Sequence, residues 1–167
     1  MTGRTGPADH QYAVSVEWTG NTGSGTASYR GYDRSQVARG DGKNDILGSS
    51  DPAFLGDPAR WNPEELLVVS ASQCHLLWYL HLAATARVVV TSYVDAAAGT
   101  LRMNSDGGGQ FSEILLRPRV VVAEPSMVER AVRLHDDVDA MCFIARSLNF
   151  PIRCEPTVTA AQPVGTQ

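Results

Sequence analysis

The chain has 167 residues, enough for one domain to bury a core without disulfide staples. Its 18 acidic and 14 basic residues leave a net charge of −4 with no dense basic patch, which argues against nucleic acid as a partner. The polar first ten residues lack the apolar centre of an export signal, and no apolar run is read as reaching the ~18 residues of a membrane span, so a cytoplasmic protein with no membrane partner is expected.

Residues 1–9 are expected to be flexible, residues 10–158 to form a single domain, and residues 159–167 to be a polar tail. Residues 10–18 alternate as a strand, with Tyr12, Val14, Val16 and Trp18 on one face, and residues 20–23 make a turn. A second strand over residues 25–34 returns as a hairpin. Residues 40–61, rich in Gly, Asp, Ser and Pro, form a long loop with a short strand at Ile46-Leu47.

The next stretch opens a helix. Asn62 can cap it, Pro63 suits the first position, and Glu64 and Glu65 sit at the positive end of the dipole. From Leu66 to about Arg87 there is no Gly or Pro. Leu67, Ala71, Cys74, Trp78 and Leu82 recur at helical spacing, which places Cys74 on a face read as buried. Strands follow over residues 88–97, near Leu101 and over residues 111–123, a three-stranded meander turning at Asp106-Gly107-Gly108-Gly109. Ser126 and Glu129 read as a capping box for a second helix carrying His135 and Cys142, ended by Pro151. A last strand covers residues 152–158. Strands and helices are segregated, which argues an α+β fold with mainly antiparallel sheets.

Cys74, Cys142 and Cys154 are too few and odd in number for a disulfide framework and read as reduced thiols. The run Asn62-Pro63-Glu64-Glu65-Leu66-Leu67, a Cys ten residues after Glu64, and a second Cys in the second helix together resemble the OsmC/Ohr family of osmotically inducible and organic hydroperoxide resistance proteins. Cys74-His75-Leu76-Leu77 and the stretch from Cys142 to Pro151 resemble its OsmC-like branch. The likeness in element order covers residues 10–158.

The resemblance implies two central helices bearing the cysteines, packed with antiparallel sheets in an intertwined homodimer. It implies a thiol peroxidase that reduces small organic hydroperoxides, and in some members hydrogen peroxide, without metal or organic cofactor. Cys74 would be the peroxidatic thiol and Cys142 the resolving one, with an external dithiol reductant, lipoyl-type or a low-molecular-weight thiol, closing the cycle. The alternative is a thiol or ligand-binding stress protein of the same fold without efficient turnover.

A buried thiol is protonated at neutral pH unless a cation stabilises its anion. In the family that cation is an arginine held by the glutamate that Glu64 matches. Family members carry the arginine in the loop before the helix, where this chain has Leu55. Arg60 is the nearest replacement by position, with Arg34 and Arg39 as alternatives.

Cys154 fits neither family position and reads as structural. His75, His81 and His135 beside Cys74 and Cys142 invite a metal reading. Adjacent helical residues diverge by about 100°, however, and spaced ligand pairs are missing, so no metal site is expected there. Trp61, Trp78 and Tyr79 read as core or dimer contacts. The glycine turn at 107–109 joins no strand to a helix and so cradles no phosphate.

Overall fold

The structure is a computed structural model describing residues 9–162. The expected flexible N-terminus and the end of the expected tail lie outside these residues, apart from Asp9 and residues 159–162. The chain divides into two compact units, Met1–Pro63 and Glu64–Gln167.

In the first unit three short strands, β1 (Ser15–Trp18), β2 (Gln36–Arg39) and β3 (Ile46–Gly48), form an antiparallel sheet in that order. The expected strand at residues 25–34 is replaced by turns, and β1 pairs instead with β2, Trp18 opposite Gln36. The cause lies in the connecting segment. Asn21 Oδ1 accepts from the N–H groups of Gly23 and Gly25 at 2.9 and 3.0 Å. Gly25 sits at φ +56, and Arg34 closes the loop by donating to the carbonyls of Tyr29 and Tyr32. An Asx turn with left-handed glycine outcompetes a strand ladder.

The segment before the helix is built as tightly. Asp51 caps a single 3-10 turn, Pro52–Phe54, by accepting from Ala53 N–H at 2.7 Å, and Leu55 closes it at φ +66. That left-handed backbone is strained for a branched residue. At Gly56 a Cβ would lie 1.6 Å from the Ser50 carbonyl oxygen, so no side chain fits. Ser49 is tied to this neighbourhood's backbone: its N–H reaches the Trp61 carbonyl at 2.9 Å and its hydroxyl oxygen accepts from Asp57 N–H at 3.0 Å.

The second unit is organised by α1 (Pro63–Thr85), which begins at the proline as expected. Two sheets of three strands belong to it. One has the order β4 (Val90–Asp95), β7 (Pro118–Val122), β9 (Thr157–Ala160), and the other β5 (Ala98–Met103), β6 (Gly109–Leu116), β8 (Ile152–Cys154). The expected meander is therefore split. The long strand breaks at Arg117-Pro118, where proline removes a ladder donor. The Asp95 carboxylate pins the break, one oxygen accepting from Arg117 N–H at 2.7 Å and the other from the Ser72 hydroxyl at 2.6 Å. The last expected strand also divides, at Glu155-Pro156, into β8 and β9, the latter running on to Ala160. Both pair in parallel, β8 with β6 and β9 with β7, so the sheets of this α+β fold are mixed.

The second helix, α2 (Val128–Asp139), is far shorter than expected. Ser126 bonds the Glu124 carboxylate at 3.3 Å, within a 3-10 turn, and Glu129 pairs with Arg133, so no capping box forms. Asp136, Asp137 and Asp139 crowd the negative end of the dipole and end the helix. Cys142 consequently lies in the turn that follows, its N–H donating to the Val138 carbonyl at 2.9 Å.

Two clusters form the core of this unit. Tyr79, Ala83, Val120, Val122, Ala131, Leu134, Val138 and Cys142 fill one, and Ala71, Ile114 and Leu116 centre the other. The face of α1 buried most deeply is Ala71, His75, Tyr79 and Ala83, one position round from the face expected. Cys74 and Trp78 flank it, half-buried. By length and composition the 23 residues of α1 could cross a membrane, which corrects the expectation that no run reaches that size. Ala71, His75, Tyr79 and Ala83 are its residues buried inside the protein.

Asp95→Ala removes the acceptor for two hydrogen bonds at the strand break. Urea unfolding should show a loss of about 1.5–3 kcal/mol for each bond to the charged oxygen.

Candidate functional site

Cys74 projects from the flank of α1 into an open groove of about 310 Å³ lined by Cys74, Leu77, Trp78, His81 and Phe143. The walls are apolar and aromatic. Trp78 meets Phe143 edge-on, centroids 5.5 Å apart, and His81 at 5.6 Å. His81 is the one groove residue able to carry positive charge.

Cys142 is buried, 2% exposed, in the core cluster against which Cys74 packs. The turn after α2 achieves this by wrapping round the sulfur, which accepts from Ala145 N–H at 3.4 Å. Burial first, and then the neighbouring Cys74, push the Cys142 thiol up to about 11, the Ala145 N–H pulling the other way. Cys142 is thus held in its protonated form. Two sulfurs 68 positions apart in sequence are brought together, one facing an accessible apolar groove and the other shut inside.

The other expected site residues stand as follows. Glu64 is half-buried in the first turn of α1. Arg60 ion-pairs with Asp57 at 3.5 Å. Arg39 pairs with Glu17 at 2.7 Å and Asp45 at 3.3 Å, and Arg34 lies over the rings of Tyr29 and Tyr32 at 4.7 and 4.2 Å. Each candidate arginine already has a partner in its own unit.

Beneath the groove face lies a group that sequence reasoning dispersed. His75 Nε2 and His135 Nδ1 are 2.9 Å apart and share one proton, and Cys154 Sγ is 3.6 Å from the first and 3.8 Å from the second. Tyr79 stacks on His135, centroids 4.1 Å apart, and its hydroxyl donates to the Ala131 carbonyl at 3.2 Å. Burial, with His75 adding to it, lowers His135 to about 3; burial also lowers His75, against the pull of Asp95. Cys154 rises to about 12, through burial and then the negative charges of Asp95, Asp139, Asp136 and Glu155. Cys154, read from the sequence as structural, makes its contacts with these two rings. A signal existed: His135 shares the α2 face of Ala131, Leu134 and Val138, whose spacing marks it as buried.

Residues 56–157 match the family model for OsmC-like proteins. The chain belongs to the OsmC-like family. An OsmC-like protein of unknown function from Vibrio cholerae is 30% identical, with a TM-score of 0.80 over 89% of this chain and 100% of that one. An OsmC-like protein from Mycoplasma pneumoniae, 18% identical, has a TM-score of 0.68 over 90% of this chain and 99% of its own. An organic hydroperoxide resistance protein from Elizabethkingia anophelis, 16% identical, has a TM-score of 0.63 over 92% of this chain and 100% of its own. At such identities these two share the fold. Among curated proteins none matches this OsmC-like chain in sequence.

The two buried imidazoles give the OsmC-like fold a measurable acid sensitivity. Folded, they refuse protons that the unfolded chain binds near pH 6.5, so their stabilising effect is complete above that pH. It is lost as the pH falls towards 3, by ~1.4 kcal/mol per pH unit for each proton refused. Urea unfolding between about pH 7 and pH 5 should show this decline, and His135→Phe, which keeps a ring against Tyr79, should flatten it.

Proposed function

We propose that this OsmC-like protein is a cytoplasmic thiol peroxidase reducing small organic hydroperoxides at Cys74. The observation that carries the reading is the packing of Cys74 beside Cys142 at the edge of an apolar groove. The Cys74 thiolate attacks the terminal peroxide oxygen. The O–O bond breaks, the alkoxide leaves and takes a proton as the alcohol, and Cys74 becomes a sulfenic acid. Cys142 then attacks the Cys74 sulfur, water leaves with the hydroxyl and the thiol proton, and a disulfide joins the pair. An external dithiol, lipoyl-type or low-molecular-weight, exchanges with that disulfide and is itself oxidised. Leu77, Trp78 and Phe143 favour an alkyl or aryl peroxide over hydrogen peroxide, because an apolar wall rewards burial of the organic group.

Glu64 keeps the part the resemblance implies, a carboxylate that holds a cation, and Arg60, the nearest replacement by position for the arginine missing at Leu55, supplies that cation, from the same chain or from the second copy of a dimer. Several features support a homodimer. In the first unit Val37 is the one buried apolar side chain among the described residues, while Val14, Val16, Ile46 and Leu47 are exposed. So small a unit needs cover from elsewhere. On α1, Leu77 is 66% exposed and Leu80 39%.

A second reading, a thiol-bearing ligand binder without efficient turnover, is favoured by the paired state of Arg34, Arg39 and Arg60 and by Leu55 in place of an arginine. Peroxide consumption with a dithiol decides between them: steady turnover supports the first, and none supports the second. Leu55→Arg should raise turnover only in the second case.

Cys74→Ser should abolish peroxide reduction, whereas Cys142→Ser should complete one round and leave Cys74 as a sulfenic acid that dimedone traps. Equal loss in both, in single-turnover assays, would overturn these roles. Arg60→Ala should shift the pH profile of Cys74 alkylation upwards; an unmoved profile would transfer the cation's part to Arg34 or Arg39.

A further inference from the structure

Two imidazoles and a thiol converge in the core of the second unit, and the peroxide chemistry proposed above uses none of them. α1 supplies His75, α2 supplies His135 and β8 supplies Cys154, and their three donor atoms lie within 4.8 Å of one another. We propose that these residues form a His2Cys site for a single zinc ion, tying both helices to the sheet strand. The site is independent of Cys74 and Cys142.

Geometry is the first support. Bonds of about 2.0–2.1 Å to nitrogen and about 2.3 Å to sulfur at a tetrahedral centre put the nitrogens roughly 3.4 Å apart and each roughly 3.6 Å from sulfur. The two sulfur distances, 3.6 and 3.8 Å, already fit. The nitrogens, 2.9 Å apart, need to open by about half an ångström, as a metal takes the place of the proton they share. A fourth position is left for water.

Polar accounting is the second. One shared proton satisfies a single nitrogen pair and leaves Cys154 with only long contacts. His75 and His135 are each 2% exposed, so their facing nitrogens are shut off from water, and one metal ion would engage both together with Cys154.

Charge is the third. The Asp95 carboxylate, fixed by Ser72 and Arg117 N–H, faces His75, Tyr93 and Cys154, and Asp136, Asp139 and Glu155 add to the field at Cys154. That surrounding opposes a bare thiolate and favours a dication that carries one with it. Cys154 is half-buried, which gives the ion a way in.

Zinc titrated into chelator-treated native protein should bind at one ion per chain and raise the thermal midpoint. It should shield Cys154, and not Cys74, from iodoacetamide, as mapped by mass spectrometry. Cobalt(II) should give a thiolate charge-transfer band that Cys154→Ser and His135→Phe abolish, with zinc affinity falling more than about a hundredfold, and that Cys74→Ser retains. Absence of stoichiometric binding, protection of Cys74 in place of Cys154, or a band that survives Cys154→Ser would overturn the proposal. If a variant fails to fold, the alkylation pattern of the native protein decides. Peroxide turnover is read separately, so either proposal can fail alone.

Discussion

The proton shared by His75 and His135 sets the rotation of α1 against α2, and the arrangement of the second unit follows from that rotation. A 2.9 Å contact between two buried rings, with Tyr79 stacked behind, allows little turning of either helix. With His75 and Tyr79 facing inward, the adjacent Cys74 is turned about 100° aside, out of the core and into the groove. Had the expected face been the buried one, the thiol would sit in the core beyond the reach of any bulky molecule.

The same packing divides the sulfur chemistry into two environments. Cys142 is enclosed by its own turn and keeps its proton, while Cys74 beside it has the groove in front. Cys154, from β8, faces neither sulfur of that pair but the imidazoles and a ring of carboxylates. Three thiols in one small unit thus differ in surroundings more than in burial.

Much of this was legible in the sequence wherever local chemistry decides. Asn62-Pro63-Glu64-Glu65 marks the start of α1 because an N-terminal proline and acidic first turn suit a helix in any surroundings. The α+β class and the family were also readable, the latter through resemblance. What the sequence hid depends on competition over distance. The 25–34 strand lost to the Asn21 and Arg34 hydrogen bonds that no alternation pattern reveals. The end of α2 was masked because apolar spacing continues through Cys142, Ile144 and Leu148 although three aspartates stop the helix. The His75–His135–Cys154 group joins residues 60 and 79 positions apart, a relation only the assembled sheets establish.

The two parallel pairings have a consequence for how the chain is made. Strands β6 and β7 leave one side open until residues 152–160 arrive, at the far end of the described chain, to cover both. During synthesis the ribosome must therefore release residues 152–160 before either ladder is complete, and each bare margin is meanwhile a template for a neighbouring nascent chain. A change that removes or disturbs these nine positions would act on assembly and solubility long before it altered any chemistry at the groove.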